Sequence, residues 1–289
     1  MTIESFISVI ATLSGLLFVV ASMLAMGLSL TMAQIVQPLK NVRLVVLALL
    51  GNFVLVPALA YLITMVLPLD ESLKIGLIIL STVAGAPFLV KEVQAAKGDL
   101  ALAVGLMFML MVVTIFYVPL VLPLLLPGVE VNAWDIAKSL IVTMLLPIVL
   151  GMMYKSHSSE DAAHWALLLN KVSGVALLVM LVTGLGLNIS NIIDLIGSWG
   201  FLALLLFVVG SLLIGFLMGG RDPAVRSVMG LGTAQRNVAA AILVTSLNFA
   251  GTMTLPFVLV ASIVLPLILI PTARRLGKGR EVEAVSQPA

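Results

Sequence analysis

Residues 230–241 read Gly-Leu-Gly-Thr-Ala-Gln-Arg-Asn-Val-Ala-Ala-Ala and lie inside an apolar run, residues 223–249. A related pattern occurs earlier, where Ala84-Gly-Ala-Pro87 precedes Lys91 in the apolar run of residues 72–96. Glycine loosens a helical backbone, and proline removes an amide donor. Both runs are therefore predicted to be discontinuous helices, each carrying a basic residue at membrane depth.

The composition around these runs is that of a membrane protein. Of 289 residues, 62% are hydrophobic and 10% are charged, whereas globular proteins have about 45–50% apolar and about 25% charged residues. Nine apolar runs are long enough to cross hydrocarbon about 30 Å thick. They are residues 5–31, 42–67, 72–96, 99–127, 134–154, 163–187, 198–219, 223–249 and 253–273. The sequence predicts an all-α polytopic membrane protein with nine transmembrane helices.

The basic residues predict how these spans are oriented. With the C-terminus in the cytoplasm, Lys74 and Lys138 face outward, and ten basic residues lie on the cytoplasmic side: Lys40, Arg43, Lys97, Lys155, Arg221, Arg226, Arg274, Arg275, Lys278 and Arg280. This asymmetry satisfies the positive-inside rule. We expect a protein of the plasma (inner) membrane with its N-terminus outside and its C-terminus cytoplasmic.

Three internal matches occur in the same order along the chain. They pair Gly27-Leu-Ser-Leu-Thr31 with Gly184-Leu-Gly-Leu-Asn188, residues 90–96 with residues 235–241, and Val121-Leu-Pro-Leu-Leu-Leu-Pro127 with Val264-Leu-Pro-Leu-Ile-Leu-Ile-Pro271. They relate spans one to four to spans six to nine, an offset of five. An odd offset reverses the direction of entry, so we predict two inverted repeats, as in many secondary transporters.

The matched charges predict a site where the broken helices cross. Lys91 and Arg236 fall on equivalent positions of the two repeats, and ionisable residues at membrane depth are usually functional. Glu92 is the only acid at that depth. The candidate binding or coupling residues are Lys91, Glu92, Arg236, Asn237, Gln235, Thr233 and Asn52. The alternative is that Lys91, Glu92 and Arg236 form a neutralising cluster that only locks two helices together.

Other functional classes find little support in the sequence. There is no cysteine and there are only two histidines, so we expect no disulfide, no metal site and no cofactor. No hydrolase or metalloprotease motif lies at membrane depth, which argues against an enzyme. We expect membrane lipid and a small-molecule substrate as partners, and no nucleic acid. A channel or a non-transporting membrane scaffold remains an alternative to a transporter.

Several short motifs resemble, in order, those of the bile acid:sodium symporter family. They are Met26-Gly-Leu-Ser-Leu30, Asn52-Phe-Val-Leu-Val-Pro57, Lys97-Gly-Asp-Leu-Ala-Leu102, Pro147-Ile-Val-Leu-Gly151 and Arg236-Asn-Val-Ala-Ala240. The resemblance implies inverted five-helix repeats arranged as a panel and a core. Residues 1–276 would form one transporter unit, with 5–31 and 134–187 as the panel and 42–127 and 198–273 as the core. Residues 277–289 would form a polar cytoplasmic tail.

The chain departs from this family where sodium-using members hold sodium. The resemblance places Leu89 and Val90 at a Ser-Asn pair, Gly232 at a Glu, Arg236 at a Gln, and Ala103 and Met107 at a Ser and a Thr. Asn237 and Asn52 keep comparable chemistry. A hard cation needs several oxygen donors, so the chain is predicted to be a divergent member for which sodium is doubtful.

We therefore expect a secondary transporter of a small organic anion, working by alternating access. Lys91 and Arg236 would replace the charges of bound sodium. Transport would be coupled to protons through Lys91 or Glu92, or it would be exchange without a coupling ion. The alternative within this family is a sodium-coupled symporter of organic anions or bile acids.

Overall fold

The computed structural model describes residues 3–126, 132–187, 189–196, 198–249 and 251–286. Every regular element in these ranges is helical, as predicted. The helices are α1 (Ile3–Ser29), α2 (Met32–Val36), α3 (Val42–Leu50), α4 (Val56–Val66), α5 (Glu71–Thr82), α6 (Leu89–Ala95), α7 (Leu100–Leu125), α8 (Ala133–Leu140), α9 (Leu146–His157), α10 (Ser159–Leu187), α11 (Ile189–Ile196), α12 (Trp199–Met218), α13 (Pro223–Ala234), α14 (Val238–Asn248) and α15 (Thr254–Ser286).

Seven helical stretches of the described chain are long and apolar enough to cross a membrane. They are Phe6–Ser29, Val42–Val66, Leu100–Leu125, Ala133–His157, Ser159–Gly184, Trp199–Met218 and Thr254–Lys278. The other two predicted spans, residues 72–96 and 223–249, are each divided into two shorter helices. Nine spans and the inverted repeat therefore stay predictions. Pro127 and Asn188, which end two of the repeat motifs, lie outside the described residues.

Two of the long stretches contain one turn of π-helix just before a proline. Gly51–Leu55 joins α3 to α4 ahead of Pro57, and Ile141–Leu145 joins α8 to α9 ahead of Pro147. Pro57 has no amide hydrogen to donate to the carbonyl of Phe53, four residues earlier. The Tyr117 hydroxyl donates to that carbonyl at 2.6 Å. The first π turn is thereby tied to α7.

Glycines set how closely the helices pack. α1 packs against α9 and α10, and a Cβ atom at Gly27 would collide with the carbonyl oxygen of Ile148. α12 packs against α13 in the same way, because a Cβ atom at Gly215 would collide with the carbonyl of Met229. α1, α9 and α10 belong to the predicted panel, and α12 and α13 to the predicted core. The division into panel and core stays a prediction, as does the tail of residues 277–289, which is helical as far as Ser286.

Candidate functional site

Both predicted interruptions are present, and they touch each other. The first break spans residues 83–88 between α5 and α6, and the second spans residues 235–237 between α13 and α14. The backbone amide of Asn237 donates to the carbonyl of Val83 at 3.2 Å. The Asn237 side chain donates from Nδ2 to the carbonyl of Gly85 at 3.1 Å and accepts from the amide of Ala240 at 3.2 Å. Asn237 thus caps α14 and joins the two breaks.

The first break is also held against α7. The Thr114 hydroxyl accepts a hydrogen bond from the amide of Ala84 at 2.9 Å and lies 3.1 Å from the Ala84 carbonyl. Gly85 has a φ of 78°, and a Cβ atom there would collide with the backbone of Met111. Only glycine tolerates both the positive φ and this approach. The path of the first break is therefore fixed by α7.

Arg236 lies in the second break with its side chain completely buried. Its Nη1 donates to the carbonyl of Ser81 at 3.2 Å, and its Nη2 donates to Oδ1 of Asn52. Ser81 lies in the last turn of α5, where backbone carbonyls lack a donor within the helix. The guanidinium therefore binds oxygen atoms supplied by two other segments of the core.

Asn52 is aimed at Arg236 by the first π turn. Its Nδ2 donates to the carbonyl of Ala48 at 3.0 Å and lies 3.5 Å from the Thr233 hydroxyl. These contacts leave Oδ1 free to accept from Arg236. Three predicted site residues, Asn52, Thr233 and Arg236, thus form one buried hydrogen-bonded group.

Gln235 is buried next to this group. Its Nε2 lies 3.3 Å from the Arg236 carbonyl, while its Oε1 has no hydrogen-bond partner within the described residues. The Nε atom of Arg236 also lacks one. An unpaired acceptor and an unpaired donor therefore lie on neighbouring residues of the second break.

Lys91 is not part of this contact. It is the third residue of α6, it is exposed, and its Nζ lies 5.8 Å from the centre of the Phe88 ring. Lys91 therefore lies in a helix and Arg236 in a break, while their equivalence in the inverted repeat stays a prediction. The reason is the unequal length of the breaks, six residues against three. The sequence match pairs residues 90–92 of α6 with the break at residues 235–237, and residues 93–96 with the start of α14.

Glu92 follows Lys91 directly in α6, but it is buried. Its side chain is 1% exposed, and neither carboxylate oxygen has a hydrogen-bond partner in the described chain. One turn earlier, Leu89 packs against Gly232, whose Cβ position would be 3.2 Å from Leu89 Cδ2. Lys91, Glu92 and Arg236 form no ion pair among the described residues, so the predicted neutralising cluster does not form.

A cavity of about 400 Å³ lies between α1 and α10 on one side and α14 and α15 on the other. Its lining is mostly apolar, with hydroxyl groups from Ser8, Thr12, Ser246 and Thr252, and no charged residue is among the described residues that line it. Because α1 and α10 belong to the predicted panel and α14 and α15 to the predicted core, the cavity lies at the predicted boundary between them.

Sequence reasoning missed two residues that hold the site together. Ser81 contributes a backbone carbonyl, which no side-chain pattern reveals. Thr114 contributes a hydroxyl. The sequence signal that could have identified Thr114 was a polar hydroxyl residue within the apolar run Leu100–Leu125.

Broken helices in contact, a buried charge at that contact and an apolar cavity elsewhere among the helices are typical of a membrane transporter. The chain belongs to the Sodium Bile acid symporter family, whose family model matches residues 16–198. Members of this family are transporters, not enzymes, and the chain is an integral membrane protein. No curated protein sequence matched it. The family match ends before α13, so the second break and Arg236 lie beyond the matched residues.

Proposed function

We propose that this protein is a secondary transporter of a small organic anion, working by alternating access without sodium. The guanidinium of Arg236 takes the place of a bound sodium ion. The observation that carries the proposal is the complete burial of Arg236, with its donors on the Ser81 carbonyl and on Oδ1 of Asn52.

The atoms that surround Arg236 are of the kind that a hard cation binds. Backbone carbonyls and side-chain amide oxygens are typical ligands of such ions. Here they accept hydrogen bonds from a group that is always protonated and cannot leave. A sodium ion placed about 4 Å from it would be repelled by about 4 kcal/mol, taking an effective dielectric constant of about 20. This charge balance supports transport without sodium.

Lys91 has no part in this charge replacement. It is exposed on α6 rather than placed at the contact of the two breaks. The proposal therefore rests on Arg236 alone, supported by Asn52, Thr233 and Asn237. Gln235 supplies an unpaired acceptor beside it.

The cavity between α1, α10, α14 and α15 supports an amphipathic organic anion as the substrate. Its apolar lining suits a hydrocarbon body, and its hydroxyl groups suit polar substituents. Ile242 lines the cavity about 6 Å along α14 from Val238, at 1.5 Å per residue, and α14 begins two residues after Arg236. The buried positive charge lies in the break that precedes α14 and would favour an anion. In the orientation set by the basic residues, the cavity faces outward in the plasma (inner) membrane.

The test is counterflow in proteoliposomes with radiolabelled cholate as the probe, in sodium and in potassium media of equal ionic strength. Saturable uptake that is accelerated by internal cholate and equal in both media is the expected result. Uptake only in sodium would indicate a sodium symporter. Unsaturable flux would indicate a channel. The absence of any flux would favour a membrane scaffold that does not transport.

A pair of tryptophan variants tests the cavity. Leu243→Trp fills it from the wall of α14, whereas Leu217→Trp changes a side chain of α12 that is 80% exposed. We expect Leu243→Trp to abolish uptake and Leu217→Trp to leave it unchanged. Equal uptake in both variants would exclude this cavity as the substrate site.

A further inference from the structure

Glu92 is a buried carboxyl group without a hydrogen-bond partner in the described part of the chain. Its side chain is 1% exposed, and both oxygens lack a hydrogen bond within the described residues. We propose that Glu92 is a proton-binding site: it holds a proton while the buried face of α6 is closed and releases it when that face opens. This inference rests on the proposed transport function and names its coupling ion.

Among the described residues, no basic side chain on or around α6 binds Glu92. α6 packs against α7, α13 and α15, and a Cβ atom at Gly277 of α15 would collide with the Ala95 carbonyl. The titratable or charged side chains described on α6, on these elements and in the turn after α6 are Lys91, Lys97, Asp99, Tyr117, Arg226, Arg274, Arg275 and Lys278. Asp99 caps α7 by accepting from the amide of Leu102 at 3.0 Å. None of these groups forms an ion pair or a hydrogen bond with Glu92.

The burial of α6 therefore depends on the protonation state of Glu92. An ionised carboxylate without a partner is strongly disfavoured in an apolar environment, and the neutral acid much less so. When the O–H bond breaks, the proton passes to water and an ionised carboxylate remains. Because this carboxylate has no partner in the described chain, it must be solvated by water. Deprotonation thus favours an open face of α6, and protonation favours a closed one.

The position of α6 gives this linkage a direction. The cavity between α1, α10, α14 and α15 is present while the Glu92 face of α6 is closed. α6 is followed by Lys97, which the positive-inside pattern assigns to the cytoplasmic side. A proton bound while the cavity is open outward would be released to the cytoplasm. For the proton to move inward together with the organic anion, Glu92 must be protonated from the outer side before the face of α6 closes.

Because the chain has no cysteine, single cysteines can report the opening of α6. Val93→Cys places a thiol on the buried face next to Glu92, and Gln94→Cys places one on the exposed face of the same helix. Both are labelled with a water-soluble maleimide between pH 5 and pH 9 in purified protein. Dividing the first rate by the second removes the pH dependence of the thiol itself.

We expect this ratio of labelling rates to rise with pH, by up to about tenfold per pH unit if opening releases one proton. In the Glu92→Gln background the ratio is expected to be flat. A ratio that is flat in both backgrounds, or that rises equally in both, overturns the proposal.

A second readout does not depend on cysteine variants. The infrared spectrum of the otherwise wild-type protein should show a protonated carboxyl group that titrates, is lost in Glu92→Gln and returns, shifted, in Glu92→Asp. Identical spectra for wild type and Glu92→Gln overturn the proposal. Neither experiment contains a substrate or varies sodium. A failure here would therefore leave sodium-independent transport standing as exchange, whereas sodium-dependent uptake would remove the proposed function and leave the proton site unaffected.

Discussion

The two helix breaks touch, yet they contribute opposite chemistry to the contact. The first break presents backbone carbonyls, those of Val83 and Gly85, which accept from Asn237. The second break presents side-chain donors, of which the buried guanidinium of Arg236 is the strongest. One break therefore supplies oxygen atoms and the other supplies a cation. The positive charge at this contact thus belongs to a side chain of the protein itself.

The largest effect is expected where the first break meets α7. Gly85→Ala would put a methyl group into the backbone of Met111 at a φ of 78°. The positive φ alone costs about 1–2 kcal/mol, and the collision adds to it, so we expect little folded protein. Yield and thermal unfolding of the purified protein measure this.

The matched control is Gly220→Ala, because Gly220 has a φ of 72° and open space around its Cβ position. It carries the conformational cost without the collision. Equal losses of yield and unfolding temperature in the two variants would show that the contact with α7 does not hold the first break in place.

Removing the cation from the second break should have the next largest effect. Arg236→Ala leaves the Ser81 carbonyl and Asn52 Oδ1 without their donor and opens a cavity. We expect a loss of about 3 kcal/mol in unfolding free energy, measured by thermal or denaturant unfolding. Arg236→Lys keeps the charge and should lose less. A full loss in Arg236→Lys as well would mean that geometry, not charge, is what the contact requires.

Asn52→Ala tests the acceptor that the π turn brings to Arg236. It removes an acceptor from a buried charged group, which costs about 1–3 kcal/mol. Asn248→Ala is the control, since the one side-chain hydrogen bond described for Asn248 goes to the carbonyl four residues earlier, like that of Asn52 to Ala48. We expect Asn52→Ala to lower the unfolding temperature more than Asn248→Ala. The reverse order would remove Asn52 from the account.

The smallest effect is expected at Lys91. Lys91→Gln changes an exposed residue whose nearest described partner is the Phe88 ring, so a change within about 0.5 kcal/mol is expected. Lys74→Gln, at an exposed position of α5, should behave alike in the same unfolding assay. A loss as large as that of Arg236→Ala would restore Lys91 to the site.

At the two breaks, part of the fold and of the candidate site could be predicted from the sequence. Glycine and proline in apolar runs located both interruptions, because these residues disturb helices through their own backbone chemistry. The polarity of Asn52, Thr233 and Arg236 in such runs marked them as site residues. The register of the first break could not be predicted. Its six residues are shaped by Thr114 and Gly85 against α7, which are contacts between distant parts of the chain.

The burial of neighbouring charges was equally unpredictable from the sequence. Lys91 and Glu92 are adjacent, yet the first is exposed and the second is buried. Which face of α6 is covered depends on where α13 and α15 lie. The Ser81 carbonyl could not be foreseen either, since every residue carries one.

The central claim, that Arg236 replaces sodium, is tested most directly by thermal unfolding of the wild-type protein over a range of sodium concentrations. Potassium replaces sodium to hold ionic strength constant. A ligand of the folded state at 100 times its Kd stabilises by about 2.7 kcal/mol. We expect the unfolding temperature to show no shift that is specific to sodium. A sodium-specific rise in the wild-type protein would contradict it and place the chain among sodium-coupled symporters.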